Sequence, residues 1–262
     1  MLGLPWQLVS CATGDIQTPL PDLAAPAAWY GYPPALLPIW SGGSGPRYIG
    51  YWKHWFSKRR PSYVEMFVGS GRMTLEIART PQQLYSVIAI DAIGLEEGVG
   101  ATVGTFAEQV GLENLDEIDR VSMATGDDPL GLAAIGEFQS QTPLESVQDK
   151  ARYDGDFPHE VGGRPVGLDD ACSFELVDQK IDWQTWPSRP AWLSEEAKPP
   201  LFDQFLDAGN LHGAWLTLNS TGWTIREARA AIVRLAERAR DAEFDALTAA
   251  YLAAADARAG AY

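Results

Sequence analysis

RYIGYWKHWFSKRRPSYVEMFVGSGRMTLEIA, residues 47–78, carries the strongest architectural signal in the chain. It is rich in aromatic and β-branched residues, which favour extended backbone. Arg47–Phe56 reads as one strand, with Gly50 marking a bulge or a place where another backbone comes close. Ser62–Val68 reads as a second strand. Gly69-Ser70-Gly71 then turns the chain into Arg72–Ala78, where Met73, Leu75 and Ile77 alternate with Arg72, Thr74 and Glu76. Two such runs joined by a short glycine-bearing turn predict a β-hairpin.

Just beyond the hairpin, Thr80-Pro81-Gln82-Gln83 has the chemistry of a helix start. Thr80 can cap, Pro81 suits the first helical position, and Gln83 closes a capping box. Leu84, Val87, Ile88 and Ile90–Ala92 supply the apolar face, and Gly94 is expected to end the helix. Further helices are expected over Glu96–Val110, weakened by three glycines, and over Glu113–Val121. Thr224-Ile225-Arg226-Glu227 is a second capping box. It opens an amphipathic C-terminal helix with Ile225, Ala228, Ile232, Leu235 and Ala239 on one side. Leu201–Leu206 reads as a short helix and Ala214–Leu218 (AWLTL) as a strand.

Upstream, Pro19, Pro21, Pro26, Pro33, Pro34 and Pro38 sit among Trp29, Tyr30, Tyr32 and Trp40. Prolines at that density oppose a long helix. Residues 1–45 are therefore expected to form an extended arm packed on the body, with a helical turn at Pro34–Leu37 and a turn at Ser41–Pro46. Residues 125–170 carry many turn signals and read as a loop-rich insertion with a small helix at Leu130–Phe138. The whole predicts a single α+β domain over residues 1–262, with an antiparallel or mixed sheet flanked by helices.

With 262 residues, 46% of them hydrophobic and ten of them tryptophan, the chain has the material for a substantial core. No apolar run approaches the roughly 20 residues that span a bilayer. The opening MLGLPWQLVS lacks basic residues ahead of its apolar stretch and carries Pro5, so no export signal is expected. Cys11 and Cys172 suit buried thiols of a reducing compartment. A cytoplasmic protein without a membrane partner is expected. The net charge of -15 is unevenly spread: residues 1–80 hold seven Lys/Arg against four Asp/Glu, residues 81–262 thirteen against thirty-one. Such a field repels nucleic acid and attracts basic partners.

Motifs for chemistry are sparse. His54, His159 and His212 do not pair at ligand spacing and neither cysteine has a neighbouring ligand, so no metal or other cofactor is expected. The glycine turns lack the lysine and following helix of a phosphate loop. No G-x-S-x-G elbow occurs. Glu113, Asp116, Glu117, Asp127 and Asp128 could supply the paired carboxylates of a hydrolase, which is the alternative reading. Lys53, His54, Lys58, Arg59 and Arg60 lie among Tyr51, Trp52, Trp55 and Phe56, a mixture suited to single-stranded nucleic acid. Strand alternation would bury one aromatic set, however, and the acidic remainder opposes a polyanion.

The segment Leu37–Glu65, LPIWSGGSGPRYIGYWKHWFSKRRPSYVE, resembles bacterial proteins of the SUKH superfamily, with Gly222-Trp223 as a further point of likeness. The resemblance covers under a third of the chain. It implies an α+β fold and a role in binding a partner rather than in catalysis, since many such proteins are immunity partners of secreted toxins, nucleases included. An acidic face suits an inhibitor of a basic nuclease, and its anchors should be aromatic residues ringed by carboxylates. Trp183, Trp186 and Trp192, near Asp178, Asp182, Glu195 and Glu196, are the candidate partner-binding residues.

Overall fold

The computed structural model describes residues 3–26, 31–42, 47–68, 73–126, 128–149, 152–157, 160–161, 164–165, 191–193 and 196–255. After helix α1 (Trp6–Thr13) the chain lays down β1 (Leu23–Ala24), β2 (Leu36–Gly42), β3 (Arg47–Trp52), β4 (Ser62–Phe67) and β5 (Met73–Ala78). They form one sheet in chain order, antiparallel throughout. The period-2 pattern has a direct consequence. Tyr48, Trp52, Val64 and Met66 point to one face, and Ile49, Tyr51, Tyr63 and Ile77 to the other.

Each face has its own helical cover. Over the second lie α1, α2 (Pro81–Glu96), α3 (Ala101–Val110) and α4 (Leu115–Thr125), followed by 3-10 turns at Pro129–Ala134 and Gly136–Phe138. A two-residue ladder pairs β6 (Glu160–Val161) with β7 (Arg164–Pro165). Over the first face lie α5 (Lys198–Asp207), α6 (Leu211–Leu218), α7 (Ile225–Ala239) and α8 (Ala242–Ala254), with Leu144, Tyr153 and Phe157 from the loop between. The result is an α+β fold in three layers around a five-stranded antiparallel sheet.

Local chemistry explains where the elements begin. Both capping boxes form: Thr80 Oγ1 accepts from Gln83 N–H at 3.2 Å and Thr224 Oγ1 from Glu227 N–H at 3.3 Å. In α2 the residues Gln83–Ala89, Ala92 and Ile93 are all buried, because the helix is wedged between β5 and the pair α3 and α4. At Gly50 an added Cβ would lie 2.5 Å from Leu37 O and 3.0 Å from Pro38 Cα, and the register slips opposite it, between Pro38 and Trp40. The glycine admits a bulge in β2.

Several expectations are corrected. Ala214–Leu218 is helical, within α6, rather than a strand. Asn210 starts that helix by accepting from Gly213 N–H at 2.8 Å. The segment from Gly213 to Leu218 is buried on all sides; a short apolar run of that kind has no period to read. Leu36 opens β2 where a helical turn was expected, and β2 runs on to Gly42. The N-terminal arm contains α1, which ends at Gly14, ahead of the proline cluster. The strand expected over Arg47–Phe56 stops at Trp52, and Phe56 takes a left-handed φ of 61°. Gly94 does not end α2, which runs to Glu96 and is closed by Glu97 in the left-handed region. Ser173–Val177, whose sequence reads as a further short strand, and the Gly69–Gly71 turn lie outside the described residues.

Candidate functional site

The helices over the Ile49 face carry most of the chain's charge asymmetry. Residues 81–149 hold thirteen Asp/Glu and a single Lys/Arg, Arg120. Asp91, Glu96, Glu97, Glu108, Glu113, Asp116, Asp128 and Asp149 are exposed. Part of this has a local cause: Asp116 and Glu117 sit in the first turn of α4, where a helix favours negative charge. At the other ends of α2 and α4 the last turn holds no basic residue, so the negative ends of both helices are left uncompensated by their own side chains.

Several carboxylates elsewhere are matched within the chain. Arg47 pairs with Glu65 and lies 3.4 Å from Asp22. Lys53 lies 2.9 Å from Glu243, and Arg234 lies 2.5 Å from Asp203. Arg60 donates from its backbone N–H and from Nε to Asp156, each at 2.9 Å, and Arg79 pairs with Asp154. Hydrogen bonding from Arg79 holds Asp154 below the usual carboxylate range. Burial pushes Asp156 up, but the two bonds from Arg60 outweigh it and bring it down. The negative field therefore belongs chiefly to the α2–α4 layer.

Among the described residues Glu76 is the buried carboxylate. Ser62 Oγ donates to Oε1 at 2.5 Å, while Leu144 N–H at 2.9 Å and the Tyr153 hydroxyl at 2.6 Å donate to Oε2. Burial raises its pKa, against the pull of those donors and of Arg79. Its donors come from β4 and from the loop over the sheet, so Glu76 fastens the 144–157 segment to β5. Gln83 does similar work on the opposite layer. Its Nε2 donates to the carbonyls of Glu137, Ser140 and Gln141, and Ser86 and Asn114 both donate to Glu137 Oε2.

The aromatic side chains of the basic segment pack into the core, while Lys58 and Arg60 stand exposed. Trp52 and Trp55 are buried, and the Lys53 ammonium stands 4.1 Å from the Trp55 ring centre. Trp55 and Phe56 pack against Phe244. A cavity of about 390 Å³ opens between β2 and α8, lined by proline, alanine and leucine side chains with Tyr32 and Tyr251. Burial pushes the Cys11 thiol up to about 12, which suits an inert core residue; Cys172 lies outside the described residues. No group of three potential metal ligands and no helix long and apolar enough to cross a membrane occurs among the described residues.

Of the sequence-predicted anchors, Trp183, Trp186, Asp178, Asp182 and Glu195 lie outside the described residues. Trp192 is half-buried, packs 6.0 Å from the Phe205 ring centre, and its carbonyl accepts from Lys198 Nζ at 3.0 Å. These contacts tie it to α5, while Glu196 is exposed nearby. The hydrolase candidates Glu113, Asp116 and Asp128 stand on the surface, Glu117 is half-buried beside Arg120, and Asp127 lies outside the described residues. Sequence reading passed over Glu76 and the long reach of Gln83. Glu76 occupies a polar position in an alternating strand, and nothing local marks it as buried. Comparison of the chain with protein-family models, with curated proteins and with solved structures finds no match.

Proposed function

We propose that the chain is a non-catalytic, cytoplasmic binding protein that takes a basic protein as partner, and that this partner is a cognate toxin such as a nuclease, which it neutralises. The observation that carries the reading is the charge of the α2–α4 layer, thirteen acids to one base over residues 81–149. A surface of that sign speeds encounter with a cationic protein and competes for the basic groups with which a nuclease grips phosphates. The resemblance of residues 37–65 to SUKH immunity proteins supports the same class of function.

The test is capture of the partner from the native organism, identification by mass spectrometry, and kinetics with both purified proteins. The expected result is a one-to-one complex that abolishes the partner's toxicity. Raising NaCl from about 0.1 M to about 1 M shortens the screening length from about 10 Å to about 3 Å. Association should slow about tenfold or more over that range. A complex whose association ignores salt, or turnover of a substrate by the isolated chain, would refute the proposal.

A further inference from the structure

We infer that the cavity between β2 and α8 is a binding site for a neutral, largely apolar small molecule whose polar part is a hydroxyl or a carbonyl. The inference is independent of the protein partner proposed above. At about 390 Å³ the space lies within the range of small-molecule pockets.

Topology leaves the space open. β1 pairs with β2 at Ser41 and Gly42 alone, so among the described residues 36–40 have β3 on one side and no strand on the other. The two helical layers meet over this edge. Ala12 of α1 reaches the cavity from one layer, and Leu247, Ala250, Tyr251 and Ala254 of α8 reach it from the other. Those four residues are spaced i, i+3, i+4 and i+7, which sets them on one face of α8. Two of the four are alanines, whose side chains are too short to close the gap.

The chemistry of the lining selects the occupant. Among the described residues no Asp, Glu, Lys, Arg or His lines the cavity. An ion placed there would give up hydration with no countercharge in return. Tyr32 and Tyr251 supply the polar side chains of the lining, each 4% exposed, and burial pushes the Tyr32 hydroxyl further from ionisation. Neutral hydroxyls of this kind suit a hydroxyl or carbonyl on the ligand. An extended peptide fits poorly for a separate reason. Pro38, within β2, has no N–H to offer an added strand, and Pro34 just ahead of β2 lacks one too. Water is a poor occupant as well, since apolar cavities stay dry and accept apolar molecules.

The probes are 1-octanol, octanoate and octylammonium, titrated separately into the isotopically labelled full chain and followed by amide NMR shifts. Octanol should shift residues 32–38 and 247–254, and should bind at least about tenfold tighter than either ion. Overall charge alone would favour octylammonium, because the chain carries -15. The double variant Ala250→Leu/Ala254→Leu alters two exposed positions of a helix that leucine suits. It should keep the fold and weaken octanol about tenfold. Shifts centred elsewhere, octylammonium binding as tightly as octanol, or no shift with octanol up to its solubility limit would overturn the inference. So would a folded double variant that binds octanol like the parent.

Discussion

Glu76 is a carboxylate whose neighbours are all donors. Truncating it to alanine removes the acceptor that Ser62, Leu144 N–H and the Tyr153 hydroxyl share, so Glu76→Ala should cost about 2–4 kcal/mol in chemical denaturation. Glutamine behaves differently. The Ser62 hydroxyl can turn to accept from the amide, and the remaining oxygen can still serve Leu144 and Tyr153. The sign of the pH effect follows from the raised pKa. Between the unfolded value near 4.5 and the higher folded one, the folded chain holds more proton, so stability falls as pH rises through that interval. Glu76→Gln removes that slope. Melting temperatures of variant and parent, compared from about pH 4 to about pH 8, should diverge in favour of glutamine as pH climbs. Asp154 and Asp156 act the other way, stabilising above their unfolded pKa and less as pH falls, but they are common to both proteins and cancel. A gap that stays constant or closes would contradict this account. Gly50→Ala drives a methyl into the Leu37 carbonyl and should cost about 1–3 kcal/mol by the same measurement.

At the level of elements, α2 shows what could be read in advance. The capping box was legible because it needs only four consecutive residues. The other half of Gln83, an amide gathering three carbonyls more than fifty positions away, was not. Thr80→Ala should therefore cost about 1 kcal/mol, the usual value of a lost cap. Gln83→Ala should cost more, about 2–3 kcal/mol, because three part-buried carbonyls lose their donor along with the cap. Equal losses in urea titrations would mean that the long-range bonds carry little. The hairpin was legible for a related reason: alternation in β5 and the glycine turn are local signals. Residues 214–218 were not, since an all-buried helix and an all-buried strand of five residues share one composition. The acidic layer was legible as a charge count, but the carboxylate of Glu137 as the joint acceptor of Ser86 and Asn114 was not.

For the molecule as a whole, the layer of carboxylates has a thermodynamic cost that solvent can modulate. With thirteen acids against one base over residues 81–149, self-repulsion should outweigh the exposed pairs such as Arg234–Asp203. Raising NaCl from about 0.01 M to about 0.15 M contracts the screening length from about 30 Å to about 8 Å. The melting temperature at neutral pH should rise over that range, and a fall would show that ion pairs outweigh repulsion.

The placement of β3 has a further consequence. It has a hydrogen-bonded strand on either side, and both its surfaces are roofed by helices. No local opening of a single layer bares its backbone to water, because the opposite layer still holds the ribbon in place. Its amides at Ile49 and Tyr51 should be the last to trade protium for deuterium, at a rate set by global unfolding alone.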